Sequence, residues 1–164
     1  LEEALDRRID ERLRERDEAA AKGGEGEKED PSISELSEAV AMTDDQEDAV
    51  VRSIDAGKRR VFDLLAIPRE DGRSMVDDLR DALQADGDPG EAMQKWFFGL
   101  MKERIPGRQE TYLTEILKIQ RTTWDGIGRT LDEKQLEKLR RTGVDILEVK
   151  TGFDPFAEAL ERDG

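Results

Sequence analysis

The chain has 164 residues, enough for one compact domain with some extra length, and 41% of them are charged against 35% hydrophobic. A hydrophobic fraction this low fits helices that each bury one narrow stripe and leave the rest in solvent. The net charge of −14 disfavours nucleic acid and anionic lipid as partners. The absence of Cys and His excludes disulfides and thiolate metal sites and removes the commonest general base.

The first 20 residues predict a charged helix with one thin apolar stripe. Leu1, Leu5, Ile9 and Leu13 recur every four residues, with Asp, Glu and Arg between them. This stripe is typical of a coiled-coil stalk or a docking helix, and a solvated terminal helix that frays fits it equally well. Residues 21–33 contain three glycines and a proline and predict a flexible linker.

Residues 34–164 predict an all-α domain of five to six helices in an irregular bundle or hairpin. Its clearest helix start lies at Thr43, whose side chain can cap the first turn while Gln46 reaches back to the Thr43 N–H. The apolar spacing then continues to about Ala66, and Pro68 ends the helix. A shorter helix is expected over 75–86.

Asp88 and Pro89 predict the next helix start, with Asp88 as the N-cap and Pro89 at the first helical position. The following large apolar residues share a helical face and predict a buried stripe: Met93, Trp96, Phe97, Leu100 and Met101. Phe98 lies about 100° further round the helix than Phe97. It therefore either closes the edge of the core or forms an exposed apolar patch for a partner.

A long helix is expected over 109–127, with Gly126 and Gly128 marking its weak end. A second capping box follows, in which the Asp132 side chain can cap the helix and the Gln135 side chain can reach back to the Asp132 N–H. We expect the basic run at 58–60 to pair with neighbouring carboxylates rather than to bind nucleic acid. No alternating pattern predicts a strand.

The segments MTDDQ at 42–46 and LDEKQ at 131–135 resemble the paired LTXXQ motifs of the Spy/CpxP family of periplasmic proteins, which includes ZraP and CnrX-type sensors. Met42 replaces the first Leu and Asp132 replaces the second Thr, and both exchanges keep an apolar residue or a capping oxygen in place. The resemblance covers roughly residues 34–160. It implies an all-α, often dimeric protein of the bacterial periplasm, without catalytic activity, that is chaperone-like or sensory.

Two departures from the family bear on function. The metal-sensing members rely on histidines, and the chaperones tend to carry a basic surface, whereas this chain has no His and is acidic. The start at Leu1 rather than at Met suggests a piece of a longer protein, with room for a signal or membrane anchor ahead of it.

These features predict a non-catalytic binding module. It would bind a protein segment or unfolded client in an apolar groove with an acidic rim, or report envelope stress. The expected partner-binding residues are Phe98, Leu5, Ile9 and Leu13. We expect no cofactor, no metal and no nucleic acid, and a homodimer is one expected assembly.

The alternative is a scaffold or adaptor subunit docking through the 1–20 helix. A weaker alternative is a carboxylate-based cation sensor, since clusters such as Asp44 and Asp45 offer hard oxygen ligands, although helix dipole and solubility already explain them.

Overall fold

The computed structural model describes residues 30–84 and 87–162, and this part of the chain confirms the all-α fold. In chain order its α-helices are α1 (Ile33–Val40), α2 (Asp44–Leu65), α3 (Met75–Gln84), α4 (Pro89–Lys102), α5 (Tyr112–Thr130), α6 (Glu133–Arg141) and α7 (Pro155–Arg162). A 3₁₀ helix, Ile146–Glu148, precedes α7. Within the described ranges extended pairing is limited to isolated bridges, Ser32 with Lys150 and Arg104 with Thr111.

The two longest helices, α2 and α5, form the centre of the bundle and run antiparallel. Small residues allow their close approach: a Cβ added to Gly57 would lie 2.5 Å from Thr123 Oγ1. One helical turn earlier in α2, Ser53 packs on Gly126, where an added Cβ would lie 3.0 Å from the Ser53 Oγ. Since a side chain at either glycine would push the two helices apart, these residues set the distance between α2 and α5.

The apolar core is divided between the two ends of the central helix pair. At one end, α1 and α6 cover a buried cluster made of Leu36, Val40, Val50, Ile54, Ile127, Leu131, Leu139, Ile146 and Val149. At the other end, α3 and α4 cover a second cluster made of Leu64, Leu65, Met75, Val76, Leu100, Ile105, Tyr112 and Ile119. Leu147 packs against both clusters and so connects them.

Lys58 holds the C-terminal segment against α2. Its ammonium donates to the carbonyl oxygens of Val149 at 2.6 Å and Phe153 at 3.2 Å, and to the Thr151 Oγ1 at 3.4 Å. Burial lowers the pKa of Lys58, and the nearby carboxylate of Asp55 opposes that shift. The prediction that the whole 58–60 run pairs with carboxylates is therefore wrong for Lys58, because three oxygen acceptors in the 149–153 loop surround its ammonium.

The preceding part of the chain reaches the same loop. The Ile33 N–H donates to the Lys150 carbonyl at 2.9 Å, and the Lys150 N–H donates to the Pro31 carbonyl at 3.0 Å. Helix α1 starts at Ile33, the last residue of the predicted linker, with Ser32 as its N-cap. Both ends of the described chain are thus attached to one loop beside α2.

One other prediction in the fold needs correction. Helix α5 runs from Tyr112 to Thr130, so Gly126 and Gly128 lie inside it and do not mark its end. A Cβ at Gly126 would lie only 3.0 Å from the Ser53 Oγ of α2, which favours glycine there, whereas a Cβ at Gly128 would meet Leu136 of α6 at an ordinary contact distance of 3.5 Å.

Candidate functional site: the paired helix starts and the α4 face

Both predicted capping boxes are present. At the start of α2 the Gln46 N–H donates to Thr43 Oγ1 at 3.1 Å, and the Thr43 N–H donates to Gln46 Oε1 at 3.0 Å. At the start of α6 the Gln135 N–H donates to Asp132 Oδ1 at 2.8 Å, and the Asp132 N–H donates to Gln135 Oε1 at 3.1 Å. The four residues singled out from the sequence therefore satisfy backbone donors at two helix N-termini.

The two capping glutamines also bind each other. Gln46 Nε2 donates to Gln135 Oε1 at 3.0 Å, and Gln135 Nε2 donates to Gln46 Oε1 at 2.9 Å. The second proton of each amide goes to a backbone carbonyl two residues before the opposite cap: Thr130 at 3.3 Å and Ala41 at 3.0 Å. Each side-chain amide thus uses both donors and accepts twice, in two matching halves.

This pairing shows what the motifs do in the fold. The two glutamine amides are committed to the helix starts and to each other, so they join α2 and α6 and leave no free amide group for a ligand. The sequence predicted each box separately, because a capping box needs only four consecutive residues. It carried no signal for the contact between the boxes, which depends on how α5 brings α6 back to α2.

Helix α4 carries more apolar surface than the core covers. Leu100 is buried, and Trp96 and Phe97 pack against the second core cluster, as predicted. Trp96 is further held by its indole N–H, which donates to the Met75 carbonyl at 2.9 Å. Phe98 lies outside this packing with 47% of its surface exposed. Of the two alternatives for Phe98, the structure supports the exposed apolar position.

The other expected partner-binding residues, Leu5, Ile9 and Leu13, lie outside the described residues. Leu83 is a second exposed large apolar residue, at 52%, and it lies on α3. Leu83 shares a helical face with Met75 and Leu79, and this spacing predicts that all three face the core. Met75 and Leu79 are buried, whereas α3 continues past the core at Leu83.

The carboxylates of α3, next to α4, are neutralised by arginines. Arg69 donates to both carboxylate oxygens of Asp78, and this hydrogen-bonded pairing raises the pKa of Arg69. The Ser74 N–H donates to the Asp77 carboxylate at 2.8 Å and lowers the pKa of Asp77. Asp77 is also in contact with Arg80 at 3.2 Å. Asp77 and Asp78 are therefore each held by an arginine.

Among the described residues, no cluster of three or more Asp or Glu side chains has the arrangement needed to hold a metal ion. Asp44 and Asp45 lie in the first turn of α2, where they face the positive end of the helix dipole. No helix in the described ranges combines the length and the apolar character required to cross a bilayer.

The described residues define an all-α helical domain. Comparison with known proteins gave no matching family model, no matching curated protein and no matching solved structure.

Proposed function

We propose that this protein is a non-catalytic binding module that takes up protein segments or unfolded clients on the exposed face of α4. The observation that carries the proposal is the exposure of Phe98 at 47%, on a helix whose apolar residues extend beyond the side that faces the core. An aromatic ring in water at a rigid helix surface supplies apolar contact area with little conformational entropy to lose on binding.

The paired glutamines support a relation to the Spy/CpxP family, because the two LTXXQ-like segments act as one structural unit rather than as two independent caps. This relation belongs to the proposal. With it come the location that it implies, the bacterial periplasm with a possible membrane anchor, and a chaperone-like or stress-sensing role.

The test is suppression of client aggregation, followed by light scattering as a reduced or heated client protein unfolds. We expect the wild-type protein to suppress aggregation at near-stoichiometric ratios. Phe98→Ser should require about tenfold more protein for the same effect, because burying an aromatic ring contributes on the order of 1–2 kcal/mol.

The matched control is Leu83→Ser, which removes a similarly exposed apolar side chain from the neighbouring helix α3. Both variants should keep the helical circular dichroism of the wild type, since neither side chain is part of the core. Equal suppression by Phe98→Ser and the wild type would exclude the α4 face as the binding surface. A wild-type protein without any suppression would contradict the chaperone-like role itself.

A further inference from the structure

The charges next to Phe98 are positive, although the chain as a whole is acidic. Lys95 and Lys102 lie three residues before and four residues after Phe98, so all three share one face of α4. The Lys102 ammonium lies 5.9 Å from the centre of the Phe98 ring. Both lysines are exposed, and within the described part of the chain neither forms an ion pair with a carboxylate. The acidic rim expected from the overall charge is therefore not what surrounds Phe98.

Neighbouring carboxylates do not neutralise these two lysines. Asp78 is paired with Arg69 at 2.8 Å, Asp81 with Arg73, and Glu103, directly after α4, approaches Arg69 at 3.4 Å. Glu91, the acidic residue of α4 itself, lies four residues before Lys95 on the same face, but no ion pair joins the two in the described residues. The charged side chains next to Phe98 on the α4 face are therefore the two lysines.

The distribution of charge along the sequence agrees with this local picture. Residues 30–88 contain 16 acidic and 7 basic side chains, whereas residues 89–150 contain 10 acidic and 12 basic ones. The segment that begins with α4 therefore has a small positive balance in a protein of net charge −14. Charges more than about one Debye length away, roughly 8 Å at physiological salt, are screened, so a partner at Phe98 responds mainly to the charged side chains next to that ring.

We propose that the occupant of the α4 face is an acidic amphipathic segment of another protein, an inference that rests on the proposed binding function. Its apolar side would cover the Phe98 ring, and its carboxylates would pair with Lys95 and Lys102. The two lysines are seven residues apart, about 10 Å along the helix axis. A helical partner with acidic residues at the same seven-residue spacing matches them both.

The experiment compares two synthetic peptides that share leucines at helical spacing and carry either Glu or Lys at all other positions. Binding is measured by fluorescence anisotropy at about 0.15 M salt, so that long-range repulsion from the acidic chain is screened. We expect the Glu peptide to bind about tenfold more tightly than the Lys peptide, and Phe98→Ser to weaken both. The double variant Lys95→Glu with Lys102→Glu should reverse the preference.

A matched control, Arg121→Glu with Lys134→Glu, changes the net charge equally at exposed positions of α5 and α6 and should leave the preference unchanged. If both peptides bind equally and Phe98→Ser weakens both, the binding function stands and the acidic partner is wrong. If neither peptide binds, both proposals fail. Concentration-dependent self-association that is lost in Phe98→Ser would assign the face to a second copy of this chain and overturn the inference.

Discussion

At the scale of single residues, Gln46 and Gln135 have the most specific environment in the domain. Each side chain serves its own helix as a capping-box partner and the opposite helix start as both donor and acceptor. Removal of the Gln46 amide takes one partner from each of the two polar groups of the Gln135 amide. It also leaves the Thr43 N–H and the Thr130 carbonyl without the bonds that Gln46 makes to them. An unmade hydrogen bond in a partly buried position costs more than a made one contributes, so this pair is sensitive to change.

Gln46→Ala is expected to lower the free energy of unfolding by about 2 kcal/mol, because a capping interaction and the bonds to α6 are lost together. Urea denaturation followed by circular dichroism measures this loss, with the exposed Gln109→Ala as the control. In a double-mutant cycle, Gln46→Ala with Gln135→Ala should cost less than the two single losses added. Simple additivity would show that the two amides do not interact in solution.

At the scale of helices, the local signals in the sequence were sufficient for most boundaries. The capping boxes at Thr43 and Asp132 and the Asp88-Pro89 start each lie in the structure where the sequence placed them. Helix α1 was not predicted, because it ends at Ala41 with a φ of 54°, a conformation usually marked by glycine. The Ala41 carbonyl, which accepts from Gln135, belongs to a tertiary contact that no local pattern encodes.

The features of the candidate site were likewise only partly predictable from the sequence. Helical spacing already separated Phe98 from the stripe of Trp96 and Phe97, so its exposure was one of two predicted outcomes. The positive surroundings of Phe98 were not predicted, because total composition pointed to an acidic rim. Only the structure shows that the acids of α3 are paired with arginines, while Lys95 and Lys102 have no such partner in the described residues.

The surroundings of Gly57 and Gly128 predict effects of opposite sign on stability when each glycine is replaced by Ala. Gly57→Ala should destabilise the domain by about 1–3 kcal/mol, since the new Cβ would lie 2.5 Å from Thr123 Oγ1 and 2.6 Å from Leu147 Cδ2. Gly128→Ala, whose Cβ would lie 3.5 Å from Leu136 Cδ2, should be neutral or stabilising by up to about 1 kcal/mol through helix propensity. Urea midpoints measure both, and an unchanged or raised midpoint for Gly57→Ala would contradict the close crossing.

At the scale of the whole molecule, one loop connects the parts that are distant in sequence. Residues 149–153 receive the Lys58 ammonium from α2, and Lys150 also pairs with the segment that leads into α1. The loop thus joins α7 and the start of α1 to α2 by hydrogen bonds, in addition to the apolar packing of these helices. We therefore expect these peripheral elements to depend on Lys58 more than the α2–α5 centre does.

Lys58→Met keeps an unbranched side chain but removes the ammonium, so its three oxygen acceptors lose their donor. Amide hydrogen exchange within 149–162 is expected to become about tenfold faster or more, while α5 remains protected. Exchange followed by mass spectrometry measures the difference, with the exposed neighbour Arg60→Met as the control. Unchanged exchange at 149–162 would show that the C-terminal segment is held by its apolar contacts alone.

The amide pair of Gln46 and Gln135 also has a consequence for the order of folding. It joins residues 89 positions apart, so the chain must close a long loop before any of its hydrogen bonds can form. Each capping box can form early in its own helix, whereas the amides meet only when α2, α5 and α6 have docked. We therefore expect the bonds between the two amides to contribute after the transition state, so that losing these bonds alone would mainly speed unfolding.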